Sequence, residues 1–397
     1  MKIVFLAPFG IRPKGTVIAR MIPLAVELQR MGHRVIIVAP PYTNPEDSGR
    51  EETVQGVTLR NVRLGPRHKV LAAPLLAWRM FREVLVEKPD LVHLFKPKGY
   101  GGLAAMLILC LKSLGLSLPP LVVDSDDWEG KGGMNDIHPY QGLEKRFYAF
   151  QEAWILKRAA AVTVASRGLQ REIGRLGIPA ERTFYLPNGV GAPVSADGAA
   201  IRSRHDIAPE TPVLLLYTRF FEFDQARLHR VLAAIRVRVP AVRFLVVGKG
   251  RVGEELLLRK RGDELGFGDA LILCGWVEPA ELPAHLHAAD VAIYPLDDNL
   301  INRCKCPAKL TEILLAGVPV VADRVGQAAE YVADGISGVL CDPAEPEAMA
   351  AAAARLLSDP GQRRVLGAAG RAYLLEHFTW LKYAEKLNEF YRKLVTT

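Results

Sequence analysis

The chain of 397 residues is 50% hydrophobic and 24% charged, enough apolar side chain for one or two sizeable cores, and its 34 Gly and 27 Pro leave no room for collagenous or low-complexity stretches. At about 100 to 200 residues per domain, two domains are expected. The 51 Lys/Arg and 43 Asp/Glu are unevenly placed: residues 1–190 hold 26 basic against 17 acidic side chains, so the first half is expected to meet an anionic partner, be it nucleic acid, anionic lipid or a phosphorylated substrate.

The first element is KIVFLAP, read as a β-strand because its apolar run ends within eight residues and gives way to the basic, glycine-bearing FGIRPKGT (9–16), unlike a secretory leader. A helix follows, with apolar positions Ile18, Met21, Ile22, Ala25 and Leu28. A glycine-bearing turn that opens a helix leaves free N–H groups at a positive dipole end. Gly10, Gly15 and Thr16 are therefore candidates for holding a phosphate, the alternative being an ordinary βα turn; neither G-x-G-x-x-G nor a Walker pattern is present.

RVIIVAP is the second strand. Between Gly56 and Arg82 the chain carries no acid, but Arg60, Arg63, Arg67, Lys69, Arg79 and Arg82. KVLAAPLLAWRMFREVLVEK (69–88) then mixes large apolar side chains with cations, and Pro74 is placed to start or kink a helix. Residues 57–88 suit an anionic membrane surface, where each nearby cation contributes about 1 kcal/mol, or else a helix packed on the sheet with solvated arginines. No aromatic-basic RNA motif accompanies them, and no nucleic-acid partner is expected.

DLVHLF is a third strand, with His93 near Lys96 and Lys98 at its end, either a site residue or a satisfied strand-end histidine. The apolar stretch Gly101–Leu111 is stopped by Lys112, short of the roughly 18 residues of a membrane span. PLVVDSDDWEG (120–130) is a strand that ends in Asp124, Asp126, Asp127 and Glu129 around Trp128. In open α/β sheets functional side chains gather beyond the carboxyl ends of strands. Acids so close together need partners: caps and solvent on one reading, a sugar hydroxyl with one carboxylate as base on the other. The spacing matches no calcium loop.

AVTVAS completes a βαβ pattern, the signature of a parallel sheet. YLPNGV (185–190) and the linker-like GAPVSADGAA place a boundary near residue 195, so the first domain is expected over 1–195. A second doubly wound set, VLLLYTR, VRFLVVG, ALILCG, DVAIYPL and VPVVAD, fills 196–378. In AHLHA, His285 and His287 lie two apart on a helix and share no face, so no metal site is expected there.

In INRCKCPAKLTEILLAGVPVVADRVGQAAEYVADGISGVL (301–340), Pro307 opens a helix whose N-terminus can face a phosphate, with Lys305 and Lys309 adding charge. Glu312 can accept from a ribose diol, or can pair with Lys309 as a surface i, i+3 couple. Beyond Pro346 the chain turns helical, with a break at Gly370 and a last amphipathic helix within 379–397. Five cysteines, Cys110, Cys274, Cys304, Cys306 and Cys341, lack the C-x-x-C spacing of a zinc site and fit a reducing, cytoplasmic compartment.

Taken together, FGIRPKGT, LAVELQRMGHRVIIVAP, LPNGV (186–190), LLYTRF (215–220), VVGKG (246–250), CGWVEPAELPAHLHAADVAIYP (274–295), KLTEILLAGVPVVA (309–322) and EYVADGISGVL (330–340) resemble, in order and spacing, a GT-B glycosyltransferase of the family 4, group 1 type. The resemblance covers nearly the whole chain. It implies two Rossmann-like domains facing across a cleft that holds the active site, with the C-terminal helix packing back on the first. It further implies retaining transfer from a nucleotide sugar to a glycan or lipid-linked acceptor, with no cofactor and no metal.

By the same resemblance Glu312 is the second of two donor-site glutamates and binds the ribose, while Cys304 stands where the first would be. Arg219 matches the arginine of the diphosphate clamp, but Asp224 and Gln225 occupy the region of its lysine, so Lys305 or Lys309 is the expected substitute. Gly275, Trp276 and Val277 are placed beside the nucleobase with Lys249 and Gly250 nearby, and Gln327 and Glu330 at the end of the sugar pocket. His93, Asp126, Asp127 and Glu129 are left for the acceptor, with Asp126 or Asp127 orienting its hydroxyl, and Arg219 and Lys309 stabilising the leaving diphosphate. The expected setting is cytoplasmic, at the inner face of the plasma membrane if residues 57–88 bind lipid. An inactive scaffold, a nucleotide-sugar epimerase and, last, a nicotinamide dehydrogenase are the rival readings.

Overall fold

β-Branched runs separated by helix-length segments fold into two parallel sheets. The computed structural model describes residues 1–12, 15–66 and 69–396, with only the backbone of Lys69 and Val70. One unit comprises Met1–Gly189, Arg303–Cys306 and the C-terminal helix Trp380–Thr396; the other comprises Val190–Asn302 and Pro307–Thr379. The first stretch thus ends a few residues before the expected boundary, and Arg303–Cys306 falls to the first unit.

The first unit carries β1 (Lys2–Leu6), β2 (Arg34–Ala39), β3 (Glu51–Val54), β4 (Val57–Asn61), β5 (Leu91–Phe95), β6 (Leu121–Ser125), β7 (Ala161–Val164) and β8 (Thr183–Tyr185). Their order is β3-β4-β2-β1-β5-β6-β7-β8, parallel except for the β3/β4 hairpin. That hairpin was absent from the sequence reading. Its two-residue turn puts Gln55 at φ 51° and Gly56 at φ 82°, the positive pair that matches the twist of the flanking strands. Every residue of β5 and β6 is buried, as strands covered on both faces must be.

The helix after β1 departs from the expected register. It opens with a π-helical turn, Val17–Met21, before the α-helix Ile22–Arg30. The wider turn buries Val17 and Arg20 and leaves Ile18 half-exposed. The C-terminal helix buries Leu387 and Tyr391 and stacks Phe390 on Phe184 at 5.1 Å.

The second unit holds β9 (Val213–Tyr217), β10 (Arg243–Val247), β11 (Leu271–Gly275), β12 (Val291–Tyr294), β13 (Val320–Asp323) and β14 (Val339–Cys341), ordered β11-β10-β9-β12-β13-β14 and all parallel. The strand order reverses at β9, as it does at β1 in the first unit, and ligands of such sheets bind beyond the carboxyl ends there. The helix Pro360–His377 runs through Gly370 without the expected break. A Cβ at Gly370 would lie 2.9 Å from the Ser337 carbonyl oxygen, so the glycine serves close packing.

Candidate active site

In the first unit the carboxyl ends of β1, β5 and β6 gather a buried cluster of acids and cations. Arg20, brought inward by the π-turn, grips Asp124 with two bonds of 2.7 Å and also donates to the Leu186 carbonyl at 2.7 Å. Thr16 donates to Asp126 Oδ2 at 3.2 Å, which ties the turn after β1 to the acids after β6. Lys96, held at φ 60°, places its ammonium 2.8 Å from Asp126 and 2.6 Å from Asp127. Lys98 pairs with Glu129 at 2.6 Å. The acids therefore find their partners in Arg20 and in two lysines of the neighbouring strand end, not mainly in caps or solvent.

Burial alone would discharge the Lys96 amine, but Asp126, Asp127 and Glu129 hold it charged. Asp126 is pushed above the usual carboxylate range, first by burial and then by Asp127 and Asp124, although Lys96 pulls the other way. Asp127 goes the opposite way: burial favours its neutral form, yet Lys96 and Lys305 keep it ionised. Behind them Glu152 is raised to about 8 by burial and by Glu129, whose N–H it accepts at 3.2 Å. Asp126 and Asp127 keep 13% and 24% of their side-chain surface, so they are the carboxylates a hydroxyl can reach.

Two residues expected on the acceptor side are buried and already partnered. His93 is fully buried, bonded to the Tyr391 hydroxyl at 2.5 Å and to Thr163 at 3.2 Å, and burial lowers it to about 3. It is a neutral core histidine under the C-terminal helix. Glu129, with 2% of its side-chain surface exposed, is consumed by Lys98. Gly10 has a packing role: a Cβ there would fall 1.6 Å from Asn44 Oδ1, and Asn44 in turn donates to Asp47 at 2.6 Å. Gly15 opens the turn, its carbonyl accepting from Ala19 at 2.9 Å; Pro13 and Lys14 of the same loop lie outside the described residues.

In the second unit the end of β9 brings Tyr217, Arg219, Lys309 and Glu312 together. The Tyr217 hydroxyl bonds Glu312, and burial together with that carboxylate raises the phenol. Lys309 sits 5.1 Å from the centre of the same ring. Arg219 is exposed, close enough for its charge to act on Tyr217 and Tyr294, and its backbone N–H is held by Glu222 at 3.3 Å. The Phe220 φ of 67° completes this turn. Glu312 is thus oriented by an aromatic hydroxyl, and Tyr217 is the candidate site residue that sequence reasoning missed; its signal was its place as the last residue of a central strand.

Beyond β10, Gly248 sits at φ 125°, and a Cβ there would meet the Thr218 carbonyl at 1.9 Å, so both the conformation and the space call for glycine. Lys249 and Gly250 follow, the latter donating its N–H to Glu255 at 3.0 Å. Trp276 is 57% exposed, with Val277 half-buried, so the tryptophan is a surface ring and not core. Gln327 stands just before the short helix Ala328–Tyr331 and is buried, and Glu330 is half-buried there. Lys305 groups with the first unit and Lys309 with the second. Cys304 is buried, its thiol raised to about 12 by burial, and its carbonyl accepts from Ser166 at 2.6 Å.

The basic stretch changes character in three dimensions. Arg60 binds Glu51, Glu83 and Glu87, and Arg79 donates to the carbonyls of Arg63 and Leu64. Arg67 and the Lys69 side chain lie outside the described residues. What the helix Lys69–Glu87 exposes is mainly apolar: Leu71, Trp78, Leu85 and Val86, with Arg82. No described helix is long and apolar enough to cross a membrane.

Comparison with known proteins identifies the family. The sequence pattern of the glycosyl transferase 4-like domain matches residues 15–189, and that of the glycosyl transferases group 1 matches residues 211–359. A GDP-mannose-dependent alpha-(1-6)-phosphatidylinositol monomannoside mannosyltransferase of Mycolicibacterium smegmatis is 30% identical over 242 residues, 58% of this chain and 62% of that one. The match thus spans about three-fifths of that relative's length. Among solved structures, sucrose-phosphate synthase from Thermosynechococcus elongatus superposes with a TM-score of 0.75 at 20% identity over the full length of both chains. Anabaena HepE in complex with UDP-glucose does so at 0.73 and 19%, covering 99% of this chain and all of that one. By both matched patterns and by its two doubly wound units, the chain belongs to the GT-B glycosyltransferases that join a family 4-like domain to a group 1 domain.

Proposed function

We propose that the protein moves a hexosyl group from a nucleoside-diphosphate sugar to a hydroxyl of a lipid-linked or glycan acceptor, with retention at the anomeric carbon. The observation that carries the donor half is the Tyr217–Glu312–Lys309 arrangement beside Arg219 at the end of β9. Glu312, held by the phenol, accepts from the ribose diol, while Arg219 and Lys309 face the diphosphate and stabilise the charge it gains on leaving. No metal is needed for that step in this reading. Exposed Trp276 stacks on the base, which gives affinity with little choice between bases.

On the acceptor side, Asp126 or Asp127 orients the attacking hydroxyl, with Lys96 fixing both carboxylates. The lipid-linked class is favoured by the exposed Leu71, Trp78, Leu85 and Val86, which suit burial at a membrane interface, and by the phosphatidylinositol mannoside named for the relative above.

The test is calorimetric titration with GDP, UDP, ADP and dTDP, followed by acceptor-dependent release of the nucleoside diphosphate, with and without a chelator. One nucleotide should bind saturably. Glu312→Ala should weaken it roughly tenfold or more, as expected for losing hydrogen bonds to a charged group. Donor binding that is unchanged in Glu312→Ala would remove this site. Binding without turnover would leave an inactive scaffold, the reading that Cys304 in place of an acid favours.

A further inference from the structure

The second unit holds a cluster of nucleophilic side chains that plays no part in the donor site. His205, Cys274 and His285 are distant in sequence, yet their ligand-capable atoms all lie within 4.8 Å of one another. Each comes from a different element: His205 from the end of the helix Gly198–Arg204, Cys274 from β11, and His285 from the helix Leu282–His287.

Cys274 is the residue that makes the β10/β11 register slip. Val246 pairs with Leu273 but Val247 pairs with Gly275, so Cys274 is the extra residue of a bulge on an edge strand. Bulges re-aim a side chain out of the regular alternation and gather beside functional sites. His285 is equally specified. It is buried, and its Nδ1 bonds the Glu281 carbonyl at 2.9 Å, which fixes the tautomer and leaves Nε2 as a lone-pair donor. His287, by contrast, bonds the Pro283 carbonyl and stands outside the cluster.

The frame is rigid. Arg202 bonds the Ala288 carbonyl at 3.0 Å and Asp290 at 2.7 Å, clamping the helix that ends at His205. A Cβ on Gly198 would lie 2.3 Å from the His287 carbonyl oxygen, so the two helices touch through backbone. Ligands carried on packed elements are preorganised in a way that loop ligands are not.

We propose that His205, Cys274 and His285 form a site for a zinc-class divalent ion, with three protein ligands and a fourth position open to water or a small ligand. Two imidazoles and a thiolate are the donor set of a borderline-soft ion that takes tetrahedral N/S coordination. Ligand–metal distances of about 2.0 to 2.3 Å require the three side chains to close by roughly 1 Å, a rotamer adjustment. On binding, the Cys274 thiol gives its proton to solvent and the sulfur pair goes to the metal. Since Trp276 lies two residues beyond Cys274, the ion would also brace the strand end that presents that ring.

The proposal is independent of glycosyl transfer and is tested without it. The purified protein, stripped with a chelator, is titrated with Co²⁺. One equivalent should bind with a thiolate-to-cobalt charge-transfer band, displaced by Zn²⁺, lost in Cys274→Ser and weakened in His205→Ala, but retained in Cys110→Ser, which removes the exposed thiol. A readout on the unaltered chain accompanies it: Zn²⁺ should slow alkylation of Cys274 but not of Cys110, scored by mass spectrometry. Absence of the band, a band that survives Cys274→Ser, or alkylation of Cys274 indifferent to zinc would each overturn the site.

Discussion

Glu152 is buried behind the acid cluster of the first unit, where burial and Glu129 outweigh the pull of Lys98 and Lys96, and this sets how the cluster responds to pH. Its carboxyl is raised to about 8 by burial and by Glu129. Between its ordinary value of 4.5 and 8, the folded chain binds a proton that the unfolded chain has released. Stability contributed by this group is therefore full below about pH 4.5 and declines as pH rises through 8. Glu152→Gln, which mimics the protonated form, should raise stability at pH 8 by on the order of a few kcal/mol and flatten the pH profile. Denaturant midpoints at pH 5 and pH 8 check it; a variant whose midpoint falls equally at both would show that Glu152 is ionised in the native state. The acid side chains themselves were legible in DSDDWE, but their partners were not. Lys96 and Lys98 come from the neighbouring strand end, and Arg20 reaches Asp124 only because a π-turn rotates it inward. For the same reason, local spacing between His285 and His287 was uninformative, since the cluster forms from three separated elements.

At the scale of elements, the helix Lys69–Glu87 separates two ideas that its sequence fused. A run free of acids reads as a cationic face, but Glu51, Glu83 and Glu87 converge on Arg60 and consume its charge. Leu71, Trp78 and Leu85 recur every seven residues and remain exposed, at 62%, 51% and 40%. If this helix seats the protein on lipid, apolar insertion should contribute more than charge. Trp78→Ser together with Leu85→Ser should abolish flotation with anionic vesicles, whereas Arg82→Ala should weaken it by only about one kcal/mol. Equal flotation of the double variant and the parent chain would dismiss the helix as a membrane contact. Strands with continuous β-branched runs were all readable, from KIVFLAP to VPVVAD. The four that were not, β3, β4, β8 and β14, are three to five residues long, carry charged or threonine positions, or are set by pairing with an edge rather than by their own hydrophobicity.

At the scale of the whole chain, sequence order and spatial grouping part company at the C-terminus. Residues after Trp380 follow the second unit in sequence yet complete the core of the first. His33 bonds Asn388 at 2.9 Å, Phe390 stacks on Phe184, and the fully buried Tyr391 hydroxyl closes on His93. A sequence reading can place an amphipathic helix here, but the aromatic partners that hold it come from strands some 200 to 300 residues earlier. Tyr391→Ala removes a large buried ring and leaves both His93 and its neighbours facing a cavity, at a cost of about 3 to 5 kcal/mol. Because the ring belongs to the first unit alone, the damage should be unequal. Hydrogen exchange should accelerate in β1, β5 and β6 and stay near its original rate in β9, β10 and β12, and nucleotide binding by the second unit should persist at temperatures where the first has begun to open. Uniform acceleration across both sheets would mean that the chain unfolds as a single cooperative block, and the terminal helix would then have to be counted as part of one core rather than as the last piece of the first unit.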